Sequence, residues 1–206
     1  MNGRAKLGAA LIFLGLLLLF GAFGLWQSNR GEALEAEEQS RAVMRQLAPA
    51  IADRAENPAH LQPAAAEGAS SAADPTMDTV EVDGRLYVGF LTVPDLGLEL
   101  PVMADWDYDL LKIAPCRYSG TLQGGDLVIA AHNYDRHFGR LRDLQLGAEI
   151  LFTDVNGNSR RFRVAELEIL QPGDVEAMTA GDYALSLFTC TYGGATRFTV
   201  RCLQDG

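Results

Sequence analysis

Leu7 to Trp26 is an unbroken run of uncharged, mostly aliphatic residues, LGAALIFLGLLLLFGAFGLW. About 20 such residues form a helix long enough to cross the hydrocarbon layer of a bilayer. The rest of the 206-residue chain must then build its core without them. Arg4 and Lys6 precede the run, whereas Glu32, Glu35, Glu37 and Glu38 follow soon after Arg30. That asymmetry keeps the N-terminal side in the cytoplasm and sends the remainder outward. A cleaved signal peptide is the competing reading, but its apolar region is shorter and ends in a small-x-small site. Phe23, Leu25 and Trp26 occupy that zone here, which favours an uncleaved anchor.

Gly31 to Leu47 is rich in Ala, Glu, Gln, Arg and Leu, with an acidic start and a basic end that suit a helix dipole. It reads as a juxtamembrane helix, a solvated spacer rather than a binding face. From Ala48 to Met77 the chain turns to Ala, Pro, Ser, Glu and Gly, which cannot assemble a core, and reads as a linker. The organisation expected is a cytoplasmic N-terminus at 1–6, a transmembrane signal-anchor at 7–26, a juxtamembrane helix and linker at 27–77, and a folded domain at 78–206. A net charge of -10 with no basic stripe excludes nucleic acid as a partner.

The domain is written in short β-type runs broken by turn residues. Strands are expected at Tyr87–Thr92, Glu99–Met103, Asp126–Ala131, Glu149–Asp154, Arg160–Ile169, Ala184–Thr191 and Thr196–Leu203, with a Val155-Asn156-Gly157-Asn158 hairpin turn in which Asn and Gly both tolerate positive φ. Helical turns fit Tyr108–Ala114 and Phe138–Leu144, where apolar residues recur three apart. Seven or eight strands at this spacing argue for a mainly β, closed or nearly closed barrel.

Within ALSLFTCTYGGATRFTVRCL, Gly193-Gly194 supplies the centre of a hairpin turn, because glycine takes positive φ without strain. In that register Cys190 faces Arg197 and Ser186 faces Arg201. Ser186, Phe188, Cys190, Arg197, Thr199 and Arg201 then share one face. Leu185, Leu187, Thr189, Phe198, Val200 and Cys202 share the other, the core face. Cys190 and Cys202 point apart and cannot bond each other, while a Cys116–Cys202 disulfide stays open. A guanidinium beside Cys190 favours the thiolate, the reactive form of cysteine. From these residues alone Cys190 is equally a nucleophile or a half-exposed thiol beside a coincidental arginine. A base decides between them. Of the three histidines, His60 falls in the linker, His137 reads as exposed in a loop, and His132 ends an apolar strand where a ring lines a cavity rim. His132 is the acid/base candidate. No Cys-x-x-Cys or His-x-x-x-His spacing points to a metal.

His132, Cys190 and Arg197, in that chain order on a membrane-tethered outer β-domain, resemble the sortases, cysteine transpeptidases of Gram-positive cell surfaces. Ser186-Leu187-Phe188-Thr189-Cys190 is similar to the family's Thr-Leu-x-Thr-Cys, with Ser for the first Thr. Ala131-His132-Asn133 is similar to its Gly-His-Asn, with Ala for Gly, and Val93 to Val102 looks like its early strand pair broken by proline and glycine. The resemblance runs from about Leu86 to the C-terminus.

It implies an eight-stranded sortase-type β-barrel with short helices and a single-pass membrane protein whose catalytic domain is extracellular. It implies cleavage of a Leu-Pro-x-Thr-Gly type sorting signal on surface proteins, through a thioester on Cys190. Transfer follows to an amine of a peptidoglycan precursor or a pilin. His132 would act as acid and base, Arg197 would stabilise the tetrahedral oxygen, with Arg201 as its rival, and Asn133, Ser186 and Thr189 would contact substrate. No cofactor and no metal is implied. The subclass stays open: Cys-Thr-Tyr after the nucleophile resembles class B, but the short interval from Leu170 to Leu185 leaves no room for the helix those enzymes carry there. Class D resembles it as well. The rival functions are another exported cysteine peptidase and a membrane-tethered barrel that only binds a ligand. Selective labelling of Cys190 by a thiol-reactive probe separates catalysis from binding.

Overall fold

Eight of the strands close on themselves, and the hydrogen-bonded circuit explains where the barrel's walls come from. The computed structural model describes residues 3–56 and 77–205. His60 and all of the stretch read as linker from residue 57 to residue 76 lie outside the described residues. Two units are distinguished, Met1–Glu35 and Ala36–Gly206. In the first, the apolar run is helical, part of α1 (Gly3–Glu56). Its Leu11, Phe13, Leu19, Phe20 and Leu25 side chains are well exposed, and the segment is long and apolar enough to cross a membrane by length and composition.

In the second unit the strands are β1 (Val80–Val82), β2 (Arg85–Val93), β3 (Leu98–Met103), β4 (Cys116–Ser119), β5 (Leu127–Ala130), β6 (Glu149–Asp154), β7 (Ser159–Leu170), β8 (Leu185–Cys190) and β9 (Arg197–Gln204). They run in the order β2-β3-β4-β5-β8-β9-β7-β6, and β6 returns to pair with β2. That is the eight-stranded closed barrel the sequence led us to expect. β1 lies outside the circuit, pairing only with β2 across an Asp83-Gly84 turn. Closure removes the free edges that would otherwise template aggregation. Leu91, Leu100, Ile129, Phe152, Leu187 and Val200 alternate inward and are at most 4% exposed.

Seven strands were legible as alternating runs. β1 and β4 were not, because three or four residues are too few to display a period of two. The Val155–Asn158 turn also differs from expectation. Among its residues only Gly157 has positive φ. The Asp154 carboxylate accepts hydrogen bonds from the backbone N–H groups of Asn156 and Asn158, each 2.9 Å, so a side chain holds the turn in place of a left-handed asparagine.

Two expectations are corrected: the solvated spacer after the apolar run, and the linker at its two ends, since α1 continues through residues 48–56 and Met77 is buried in the barrel core. Ala36, Ser40, Val43, Leu47 and Ile51 of α1 are all buried, at spacings of three and four that form one helical stripe. The stripe packs on Val80, Val82, Tyr87, Met103, Leu111 and Val155, a second core outside the barrel interior. Side chains such as Leu47 and Ile51 contribute roughly 1.5–3 kcal/mol each on full burial. Gln46 donates to Asp83 at 3.1 Å and Arg54 to the Thr79 carbonyl at 3.2 Å, tying the same helix to the β1 region. Small and polar residues interleaved in the stripe hid it from a composition-based reading.

Candidate active site

Strands β5 and β8 are neighbours and run parallel, with Ala130 level with Phe188. Both chains run on toward the same end of the sheet, and His132 and Cys190, each two residues beyond that rung, line one cleft. The ladder continues past the strand ends: Ala131 N–H donates to the Phe188 carbonyl at 3.2 Å, and the Thr189 hydroxyl donates to the Ala131 carbonyl at 2.8 Å. Thr189 is thereby a buried clamp between the two segments that carry the histidine and the thiol.

On the other side of β8, β9 is antiparallel in the register expected from the sequence: Cys190 opposite Arg197, Phe188 opposite Thr199, Ser186 opposite Arg201. Gly193 and Gly194 both have positive φ, 78° and 73°, a conformation a side chain at either position would strain. The turn closes through Gly194 N–H to the Thr191 carbonyl and Thr191 N–H to the Thr196 carbonyl. Arg197 donates through Nη1 to the Gly194 and Thr196 carbonyls at 3.1 and 3.2 Å, which holds its guanidinium at the turn opposite Cys190.

Arg201 is no rival. It is 2% exposed and four of its five N–H donors are taken: Glu168 accepts at 2.6 Å, the Met178 carbonyl at 2.9 Å, the Ser186 hydroxyl at 2.8 Å and the Ala177 carbonyl at 2.5 Å. The cover comes from the β7–β8 connection, which contains the single helical turn α2 (Val175–Met178). Ser186 is itself 1% exposed and turned to Arg201, so the structure does not bring it to the surface beside Cys190, where Thr189 lines both hollows and Asn133 one of them.

Cys190 stands between two hollows. A cleft of about 260 Å³ is lined by Trp106, Tyr118, Val175, Met178 and Phe188 and reaches His132, Cys190 and Arg197. Its aromatic wall is a run of ring contacts, Trp106 tilted against Tyr118 at 5.3 Å and Tyr118 edge-on to Phe188 at 5.2 Å between ring centres. A second hollow of about 230 Å³ is lined by Asn133, Arg142, Thr191, Tyr192 and Phe198 and also reaches Cys190. Sequence reasoning missed the aromatic wall and the Arg142–Tyr192 pair, whose guanidinium lies 5.4 Å from the ring centre. The available signal was Trp106 in a polar loop, where an apolar ring has no core to join.

The histidines divide. His132 is half-buried at the cleft and stacks on Tyr134, 4.9 Å between ring centres. His137, expected to be exposed, is fully buried, because the loop folds back under α1. Burial and the neighbouring His132 push its pKa down to about 4, against a hydrogen bond to the Ala36 backbone. The cysteines divide as well. All three are free, and burial pushes the Cys116 and Cys202 thiols up to about 12. Cys190 alone is half-exposed. Among the described residues no group of three His, Cys, Asp or Glu side chains is placed to hold a metal.

Residues 91–204 match the family model of the sortase domain. No curated protein sequence matches the chain. Solved structures are similar in fold. A Sortase D5 transpeptidase of Clostridium perfringens has a TM-score of 0.52 and 21% identity over 58% of this chain and 79% of its own. Sortase C1 of Streptococcus agalactiae has a TM-score of 0.54 and 22% identity over 61% and 71%. Sortase A of Listeria monocytogenes has a TM-score of 0.54 and 20% identity over 58% and 88%. The family match spans more than half of the chain, and the parallel β5–β8 pair carries a histidine and a half-exposed cysteine to one cleft: the chain belongs to the sortase family of cysteine transpeptidases.

Proposed function

We propose that the chain is a membrane-anchored, extracellular sortase that cleaves a C-terminal sorting signal of the Leu-Pro-x-Thr-Gly type and transfers the protein to an amine of a peptidoglycan precursor or a pilin. The observation that carries this reading is the convergence of His132, Cys190 and Arg197 on one apolar cleft. The Cys190 thiolate attacks the scissile carbonyl carbon, and the C=O electrons move to oxygen. Arg197 donates hydrogen bonds to that oxyanion, a contribution of about 3–4 kcal/mol for one preorganised donor. Collapse breaks the C–N bond as protonated His132 gives its proton to the leaving amine, which leaves a thioester. The acceptor amine then attacks the thioester, His132 takes its proton, and the new amide forms as the thiolate leaves.

The two hollows suit two substrates. The sorting signal lies along the aromatic cleft, and the amine arrives from the hollow of Asn133, Arg142 and Tyr192, so both reach one carbonyl without displacing each other. Residues 7–26 span the membrane with residues 1–6 in the cytoplasm, and the catalytic unit begins with the packed end of α1 rather than at residue 78. Its test is intact-mass analysis of the full chain in detergent with a Leu-Pro-Glu-Thr-Gly peptide. The expected product is a thioester adduct confined to Cys190 and discharged by hydroxylamine. A protein that binds the peptide without an adduct, or one modified on Cys116 or Cys202, overturns the proposal.

A further inference from the structure

The segment that carries His132 is a compact loop closed on itself. Phe138 N–H donates to the His132 carbonyl at 3.1 Å, and the N–H groups of His137 and Gly139 both reach the Tyr134 carbonyl at 2.9 Å. A Cβ at Gly139 would fall 2.4 Å from the Asn133 carbonyl oxygen, so this closure requires glycine there. The loop is therefore stiff internally, and its orientation is set by what holds its outer end. That end is held by α1. His137 Nε2 lies 3.3 Å from the Ser40 hydroxyl, and Arg136 pairs with Glu37 at 3.4 Å. Glu37 and Ser40 are three apart, on one face of the helix.

The direction of the Ser40–His137 bond follows from proton counting. The serine hydroxyl has one proton, which it donates to the Ile113 carbonyl at 2.9 Å. Its oxygen must then accept, so His137 is the Nε2–H tautomer, and that one proton is shared between the Ser40 hydroxyl and the Ala36 backbone. The other face of His137 meets the Tyr134 ring, 5.7 Å between centres, and Tyr134 in turn stacks on His132 at 4.9 Å and 29°. An unbroken line of contacts runs from α1 through Ser40, His137 and Tyr134 to the imidazole at the cleft.

We infer that the packed end of α1 is a positioning element for His132, acting through Ser40, His137 and Tyr134. The inference rests on the acid/base role proposed for His132. None of the three touches the cleft; they set the plane in which the imidazole meets the amine, and misplacing a reacting group by about 1 Å costs on the order of a hundredfold in rate. The helix thus completes the active site as well as packing on the barrel.

The test compares Ser40→Ala, Ser40→Thr, His137→Phe and Tyr134→Leu in the full chain in detergent. The His132 imidazole cross-peak is followed by NMR, assigned with His132→Asn. Ser40→Ala lies far from His132, so its effect decides. The expected result is a displaced His132 cross-peak in Ser40→Ala and in His137→Phe, restored in Ser40→Thr, which keeps the hydroxyl, with the melting temperature little changed. On a quenched fluorescent Leu-Pro-Glu-Thr-Gly peptide, kcat falls on the order of tenfold at constant KM. Ser40→Ala and Tyr134→Leu together should lose less than the product of their separate effects, because both break one path. An unmoved His132 cross-peak in Ser40→Ala, or one that moves only as far as the protein unfolds, overturns the inference. Absence of wild-type turnover would count against the proposed function alone, since the cross-peak reports positioning independently of it.

Discussion

Two rungs of one hairpin carry nearly the same side chains to different ends. At the open end of the β8–β9 pair Cys190 faces Arg197; four residues further in, Ser186 faces Arg201 on the same side of the sheet. Each rung sets a small nucleophile-type residue against an arginine. The inner rung is roofed by the β7–β8 connection, whose Ala177 and Met178 carbonyls and the Glu168 carboxylate take up the guanidinium. The outer rung has no such roof and opens on the aromatic cleft. The same strand chemistry becomes structural when covered and available when bare. The histidines repeat the split, His137 buried under α1 and His132 at the rim.

The largest expected effect sharpens the outer rung. Cys190→Ala should lower peptide turnover on the order of 10⁴-fold, as loss of a nucleophile does, with a melting temperature within about 2 °C of wild type. A large drop in melting temperature would show that the rung is core after all. The inner rung should give the opposite pattern. Arg201→Met leaves Glu168 and two carbonyls without their donor, and denaturant unfolding should report a loss of about 3–5 kcal/mol, as for a broken buried pair. If Arg201→Met instead spares stability and removes turnover, the contrast between the rungs fails.

The histidine split has a pH signature. The folded pKa of His137, about 4, lies below the ordinary histidine value of 6.5. The unfolded chain therefore binds the proton first on acidification, so the stabilisation is complete above about pH 6.5 and is lost as pH falls from there toward 4. Unfolding titrations should show a loss of up to about 3 kcal/mol across that window, and His137→Phe should flatten it. An unchanged slope in that variant would place His137 in contact with solvent. Last, Arg197→Lys keeps charge but loses the planar fork, and turnover should fall about a hundredfold with unchanged unfolding. A smaller loss than that caused by Arg201→Lys in turnover alone would mean that the rungs have exchanged roles.

Much of the site was legible because it is local. The positive φ demanded by Gly193-Gly194 sets the turn, the turn sets which residues face one another, and alternation follows with no long-range information. Seven of the eight barrel strands came from turn spacing in the same way, and the count of eight was implied only by the family resemblance. The role of Arg201 and Ser186 was not legible, because the groups that satisfy the guanidinium lie on β7 and in the β7–β8 connection, and neither Glu168 nor Ala177 advertises a partner on β9. The stripe on α1 was equally hidden, since Ala36 and Ser40 look neutral until a barrel wall stands against them.

What the sequence determined by itself is everything with short range: the apolar run, the strand periods, the glycine turn and the pairing of Cys190 with Arg197. What tertiary structure decided is which of two similar rungs remains open, which histidine is buried, and that residues 36–56 belong to the catalytic unit. The physical reason is that burial is a property of pairs of surfaces. A period of two or of 3.6 residues names the face a residue occupies, but only the packing partner, arriving from a distant part of the chain, determines whether that face meets water, a roof or a substrate.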